Sequence, residues 1–448
     1  MAKKNGSMNS WSILFSDAHR PFFLGGAVFA VLSIAMWLLH LLNIMPYTLP
    51  FAQARMHMAQ MVYFFFSFFF FGFLLTVFPR LLSVSALTPR RYMPMFFCLF
   101  AAAVLFSFGL HAGKAWAQAG AGLAVFSNVW FTLELLRMLR QSRYLHKQMP
   151  VFMWIGVAFA CPGSLALMAY ARGGDEFWGM AAEAIGIYGF LFPTIYAVAY
   201  RMVPIFTATS GRDVVRDRFG LHFMLVFSLA RMLLTIMDLH AWYWLADFGL
   251  FFVIGHQCWQ WRIWRRKPYA IQSVLHWALF WFPLAFLLSA GINLAEWLSG
   301  DIWLRMEQAA LHALVIGGFG TLILGMATRV TLGHAGRPVL ADIWTIRLFL
   351  AFQIAPLLRV VCGMLSEAWP AFEIGIYVAG AAWVLIFFIW ALRYMPFYFS
   401  ENVSNRILES EGRSFFFSTC ERAFFTRSSS TYSGCIIMRV HFHTSLFS

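Results

Sequence analysis

Residues 57–79 read HMAQMVYFFFSFFFFGFLLTVFP, a run without a single Asp, Glu, Lys or Arg. A helix needs about 20 apolar residues to cross the hydrocarbon core of a bilayer, and this run meets that length. Transmembrane strands alternate in polarity, whereas this run is apolar all round, which argues for a helix. Arg80, Arg90 and Arg91 follow it directly. The pattern of an uncharged run closed by arginines recurs along the rest of the chain.

Applied outward from there, the same ruler finds about twelve spans. They lie near 21–42, 57–79, 92–110, 113–136, 151–171, 178–200, 219–237, 241–261, 271–294, 307–328, 343–365 and 371–395. The composition agrees: 61% of the 448 residues are hydrophobic, 19% aromatic and 12% charged, and the mean hydropathy is +0.70. A soluble domain carries about 25% charged residues, so soluble enzymes, nucleic-acid-binding proteins and disordered chains fit poorly. The net charge of +14 would point a soluble protein toward nucleic acid. Here the basic residues sit between apolar blocks, and they set topology instead.

The loops carry that topology. Basic residues gather before the first span (Lys3, Lys4, Arg20), after the second, and after the fourth (Arg137, Arg140, Arg143, Lys147). They gather again after the sixth (Arg201, Arg212, Arg216, Arg218), the eighth (Arg262, Arg265, Arg266, Lys267) and the tenth (Arg329, Arg337). The alternate loops hold single basic residues such as Arg55, Lys114, Arg172 and Arg305, together with Asp175, Glu176, Asp301, Glu307 and Glu367. Basic loops stay cytoplasmic, which places both termini inside. The expected organisation is a cytoplasmic segment over 1–20, an all-α polytopic helix bundle over 21–398, and a cytoplasmic tail over 399–448 that is rich in Ser, Phe and Arg. Met1 to Arg20 lacks an apolar core followed by a small-residue cleavage site, so no removable signal peptide is expected. None of the six cysteines forms a C-x-x-C pair, and no disulfide framework or zinc site is read from them.

Ionisable residues inside spans are costly and mark functional sites by default. His57 opens the second span and His312 lies about one turn into the tenth; both spans descend from the same side, so the two imidazoles stand at similar depth. That placement suits two axial ligands of one haem, or a haem ligand and a metal ligand. His276 stands nearer the cytoplasmic side and is a third candidate. His222 and His256 also fall in spans, while His40, His111 and His240 sit at span ends. A lone membrane histidine more often packs through hydrogen bonds than ligates. Arg231 and Arg359 fall well inside spans, where each could meet a haem propionate or an acid of the bundle. Glu134 lies near the end of its span, and Glu183 more centrally. Gly317, Thr321 and Gly325 recur every four residues. Such a stripe serves close helix packing, or it offers a flat face to a porphyrin with Phe319 and Ile323 as walls. No phosphate-binding loop, Ser/His/Asp arrangement or nucleotide motif occurs.

Several of these residues fall in a longer pattern. His312-Ala313-Leu314 runs through Gly317, Gly320 and Thr321 to Met326-Ala327-Thr328-Arg329, then Leu332-Gly333-His334-Ala335-Gly336-Arg337-Pro338. Arg20-Pro21-Phe22-Phe23-Leu24, Gly72-Phe73-Leu74-Leu75-Thr76, Arg201 to Thr207, and Leu275-His276 with Trp281-Phe282-Pro283-Leu284 accompany it. Together they resemble the NnrS family over about residues 19–398. These are bacterial membrane proteins of about twelve helices that contain haem and copper and are linked to the nitric oxide response. The resemblance implies a multi-pass inner-membrane haemoprotein whose partners are the lipid bilayer, haem, and nitric oxide or another small gas. It favours His57, His312 and His276 as metal or haem ligands, with Arg359 balancing propionate charge. Where the family has H-x-H-E-M, this chain has His57-Met58-Ala59-Gln60-Met61, which removes one imidazole and one carboxylate from any copper site there. His334 lies in a basic loop, too near the cytoplasmic surface to ligate a haem at the outer face.

Three rivals stand beside this reading. A haem–copper oxidase-like core would cluster histidines closely, and no two inside these spans are close in sequence. A secondary transporter would show broken spans with paired polar residues at corresponding positions, and no clear internal repeat is seen. A family member that has lost its metals would serve as a partner or sensor.

Overall fold

The computed structural model describes residues 9–49, 51–208, 219–264 and 270–401. It is all helical, with no strand among the described residues. A short helix (Ser10–Leu14) precedes α1 (His19–Leu41), α2 (Gln53–Leu82), α3 (Pro89–Ala112), α4 (Lys114–Gln141), α5 (Gln148–Ala171) and α6 (Glu176–Val203). Then come α7 (Gly220–Ile236) and α8 (Tyr243–Trp261). The last four are α9 (Ser273–Ser299), α10 (Leu304–His334), α11 (Ile343–Leu365) and α12 (Pro370–Phe399). All but α7 and α8 are long and apolar enough to cross a membrane, which makes ten. The tail expected over 399–448 lies, from residue 402 onward, outside the described residues.

Neighbours in sequence are neighbours in space, and the chain closes on itself. Within successive groups of four, α3 packs on α4, α7 on α8 and α11 on α12. Between groups, α4 meets α5, α8 meets α9, and α12 returns to α1. The bundle is thus three arcs of four helices, and the second helix of each arc stands inward. Of the most apolar window, 83% is buried in α2, 89% in α6 and 78% in α10, against 50% or less in the other crossing helices. This accounts for the phenylalanine run: α2 is surrounded by protein, and its rings fill a core. Phe71 stacks on Phe131 with centroids 3.6 Å apart. Gly26 of α1 exists to admit Phe69, since a Cβ there would stand 2.6 Å from the ring.

The three inner helices share a second feature. Each contains a π-helical stretch, Gln60–Phe66 in α2, Ile185–Leu191 in α6 and Ala313–Gly320 in α10. An i→i+5 turn inserts an extra residue, widens the helix and re-aims the side chains around it; such turns recur at functional sites. His57, Glu183 and His312 stand one to three residues before the three stretches. The threefold arrangement is invisible as a sequence repeat, but it is plain in the packing.

Two local devices hold the outer helices. Helix α11 is interrupted at Gln353, and Pro356, lacking an N–H, follows within a turn. Asp342 caps the N-terminus of α11, accepting from the Thr345 amide at 3.0 Å and its hydroxyl at 2.6 Å. The Thr345 bonds, joined by the Arg393 guanidinium, hold this carboxyl below the usual carboxylate range. A depressed folded pKa contributes stability above the unfolded value, and that contribution is lost as pH falls through the folded one. Replacing Asp342 by Ala is expected to cost about 1 kcal/mol, the usual worth of a cap, because solvent screens the ion pair to Arg393. Thermal unfolding in detergent should show this deficit at pH 7 and its disappearance as pH falls through the lowered pKa of the folded carboxyl.

Candidate cofactor site

The N-terminal ends of α2, α6 and α10 surround a cavity of about 680 Å³, within the roughly 300–1,000 Å³ of ligand pockets. His57, Glu183 and His312 line it, together with Arg359 of α11. Its apolar walls include Ile34, Trp37, Val62, Phe66, Phe286 and Trp383. Arg55, Arg231 and Arg305, with Glu307 and Glu373, line the rest.

The two imidazoles are held in different ways. The Nδ1 of His312 lies 2.6 Å from the Gln308 carbonyl one turn earlier. If Nδ1 carries the proton and donates it there, Nε2 keeps its lone pair, which is how ligating histidines are oriented. His57 stacks on Trp37 with centroids 4.7 Å apart and planes 15° apart. Its Nδ1 is buried with no hydrogen-bond partner, a costly state for a polar atom unless something occupies the cavity. Arg359 is 8% exposed, and its Nη1 likewise has no partner.

The other arginines of the cavity are paired, while Glu307 keeps a buried Oε1 with no hydrogen-bond partner. Arg55 pairs with Glu176 at 2.8 Å and Glu183 at 3.4 Å. Arg305 reaches Glu373 at 3.7 Å. Arg231 does not await a propionate: its Nε lies 3.1 Å from Asp247, and its guanidinium sits 3.7 Å from the Tyr243 ring centre. Asp247 accepts a second bond from Ser289 at 2.7 Å. By the rule that singles out Arg231, an ionisable residue inside a span, Asp247 carries the same signal in the sequence.

The structure therefore brings His57, His312 and Arg359 to one cavity. His276 is buried in α9 and is not among the residues lining that cavity. His222 and His256 are exposed; the first packs edge-on against Phe152, the second bonds to Gln260 at 2.8 Å. His40 accepts from the Tyr47 amide at 3.0 Å. Glu134 bridges Arg91 and Arg137.

The glycine stripe of α10 serves packing, and the flat porphyrin face is corrected. A Cβ on Gly317 would run into the Trp281 ring, and one on Gly318 would stand 3.0 Å from Phe282. Phe319 sits between Phe66 and Phe282 and is not among the residues lining the cavity. Trp281 cannot easily retreat, since its Nε1 donates to Gln353 at 2.9 Å and Gln353 donates to Thr321 at 3.1 Å. Gly317→Ala is accordingly expected to destabilise by about 1–3 kcal/mol through overpacking. The check is thermal unfolding, with Gly333→Ala, where the nearest atom is 3.8 Å away, as the comparison.

Haem fits this cavity on the donors present: two imidazoles, apolar walls and an unpartnered guanidinium. Copper at the position of the family's H-x-H-E-M pattern does not fit. Ala59 is wholly buried and has no donor atom. Gln60 accepts from Tyr47 at 3.0 Å and donates to Ser107 at 3.1 Å, so its amide is committed to the core.

No curated protein matches the chain. A family model described as NnrS protein matches residues 13–401, a range that takes in all twelve helices from α1 to α12. The chain belongs to the NnrS family.

Proposed function

We propose that this is a multi-pass haemoprotein of a bacterial inner membrane, with twelve spans and both termini cytoplasmic, acting in the response to nitric oxide or a related small gas. The observation that carries the reading is the cavity in which His57 and His312 meet an unpartnered Arg359. His57 and His312 would hold the group, and Arg359 would balance a propionate. When bound, haem supplies an iron suited to a small apolar gas that partitions into lipid, and the surrounding pocket decides between binding and turnover.

The protein's own contribution follows from its residues. The Gln308 carbonyl orients His312, and Trp37 orients His57. The apolar walls exclude water from the centre of the cavity. Arg55, held between Glu176 and Glu183, keeps the α6 side from adding a free negative charge. Absorption spectra of the wild type and the two histidine variants test the reading; loss of the chromophore from neither variant would sink the ligand assignment. The transporter reading draws on the corresponding π-helical stretches and polar residues of the three arcs. Uptake of a solute into vesicles by a colourless protein would favour it instead.

A further inference from the structure

At the other end of α10 from His312, the chain assembles a second set of donors. His334 closes α10, and about 33 Å of helix separates it from His312 at 1.5 Å per residue. Asp17 and His19 precede and open α1, whose far end leads to the loop before His57. The ligand atoms of Asp17, His19 and His334 all lie within 4.8 Å of one another. The His19 and His334 rings are 4.4 Å apart at their centres.

We propose that Asp17, His19 and His334 form a binding site for a divalent first-row transition metal ion, separate from the cavity and at the opposite end of the bundle. Two imidazoles and one carboxylate are the donors that zinc and its neighbours accept, at about 2.0–2.2 Å each. Tetrahedral ligands at such lengths stand roughly 3.4 Å apart, so the set closes on an ion by movements of about 1 Å. A second, independent observation points the same way. His19 is 1% exposed, and its Nδ1 has no hydrogen-bond partner, although its backbone amide is anchored to Thr76 at 3.1 Å.

The neighbouring charges leave room for a cation. Arg20 stands 3.6 Å from Asp17, but through Oδ2, the oxygen that Ser16 also addresses. The Nη1 of Arg20 is turned to the carbonyls of Ile13, Tyr398 and Ser400, so the guanidinium is held by backbone. Oδ1 of Asp17 is left for the ion. The half-exposed Asp17 and His334 give an ion access from water, and three protein ligands leave a coordination position open for solvent or a small ligand.

The test uses the full-length protein in detergent, stripped with chelator and titrated with Co(II). Visible ligand-field absorption and equilibrium dialysis are read together. The wild type is expected to bind Co(II) with a ligand-field band. His334→Gln and Asp17→Asn, at half-exposed positions that leave the fold intact, should weaken binding at least about tenfold. His312→Ala should leave the band and the affinity unchanged, which separates this site from the cavity. No band in the wild type would overturn the proposal, as would equal Co(II) affinity in the wild type and both Asp17 and His334 variants. Neither result bears on whether the cavity holds haem.

Discussion

Replacing His312 by Ala should abolish the Soret absorption of the purified protein, while the same exchange at His276 should leave it in place. His312 lines the cavity and is steered by the Gln308 carbonyl, so its ring presents a fixed nitrogen, whereas His276 is not among the lining residues. His57→Ala should also remove or shift the band, because it deletes the other imidazole of the same cavity. Arg359→Leu is expected to lower haem retention without abolishing it. A propionate would lose its counter-charge there, while His57 and His312 would still hold the group. Haem content by pyridine haemochrome, read against protein, measures all four variants. A His312→Ala protein with full haem content would show that the cavity histidine is a packing residue.

The second large effect concerns stability. Asp247→Ala leaves Arg231 buried beside Tyr188 and Tyr243 without its acid, and an uncompensated buried charge costs about 3–5 kcal/mol. The bond from Ser289 is lost at the same time. A protein of ordinary stability has only about 5–15 kcal/mol to lose, so this variant should be recovered poorly and unfold well below the wild type. Replacing both partners, Arg231→Met with Asp247→Leu, should restore most of the loss, since apolar residues of similar volume substitute well for a buried pair. Thermal unfolding in detergent gives the comparison. An Asp247→Ala protein as stable as the wild type would mean that the guanidinium finds another partner.

Much of this architecture is legible in the order of apolar runs and charges. Uncharged runs and clustered arginines locate the twelve long helices to within about six residues at each end, because lipid forbids unpaired backbone and charge, but not the short helix Ser10–Leu14. The order of packing is not legible. Helices α2, α6 and α10 differ from their neighbours in burial, yet α2 is no more apolar than α1 or α12, since lipid and protein core both accept Phe and Leu. The π-helical stretches that re-aim His57 and His312 arise from packing between helices and leave no local signature.

The site divides in the same way. His57 and His312 are visible as polar residues in apolar runs at matched depth. Arg359 reads as one of two buried arginines, and only packing tells that Arg231 is neutralised by Asp247, 16 positions away. Gln60 is a departure from the family pattern in the sequence; the bonds to Tyr47 and Ser107 explain how a neutral amide is accommodated there. The pairing of Asp17 and His19 with His334 joins the start of α1 to the end of α10, and no spacing rule could find it. The glycine stripe of α10 fits two readings until Trp281 is seen to fill it.

The central claim is that the cavity between α2, α6 and α10 holds haem. It is tested most directly by the absorption spectrum, oxidised and dithionite-reduced, of full-length protein purified in detergent from cells supplied with haem. The account predicts a Soret band close to stoichiometric with protein and a reduced spectrum altered by nitric oxide. A colourless protein from those cells would contradict it.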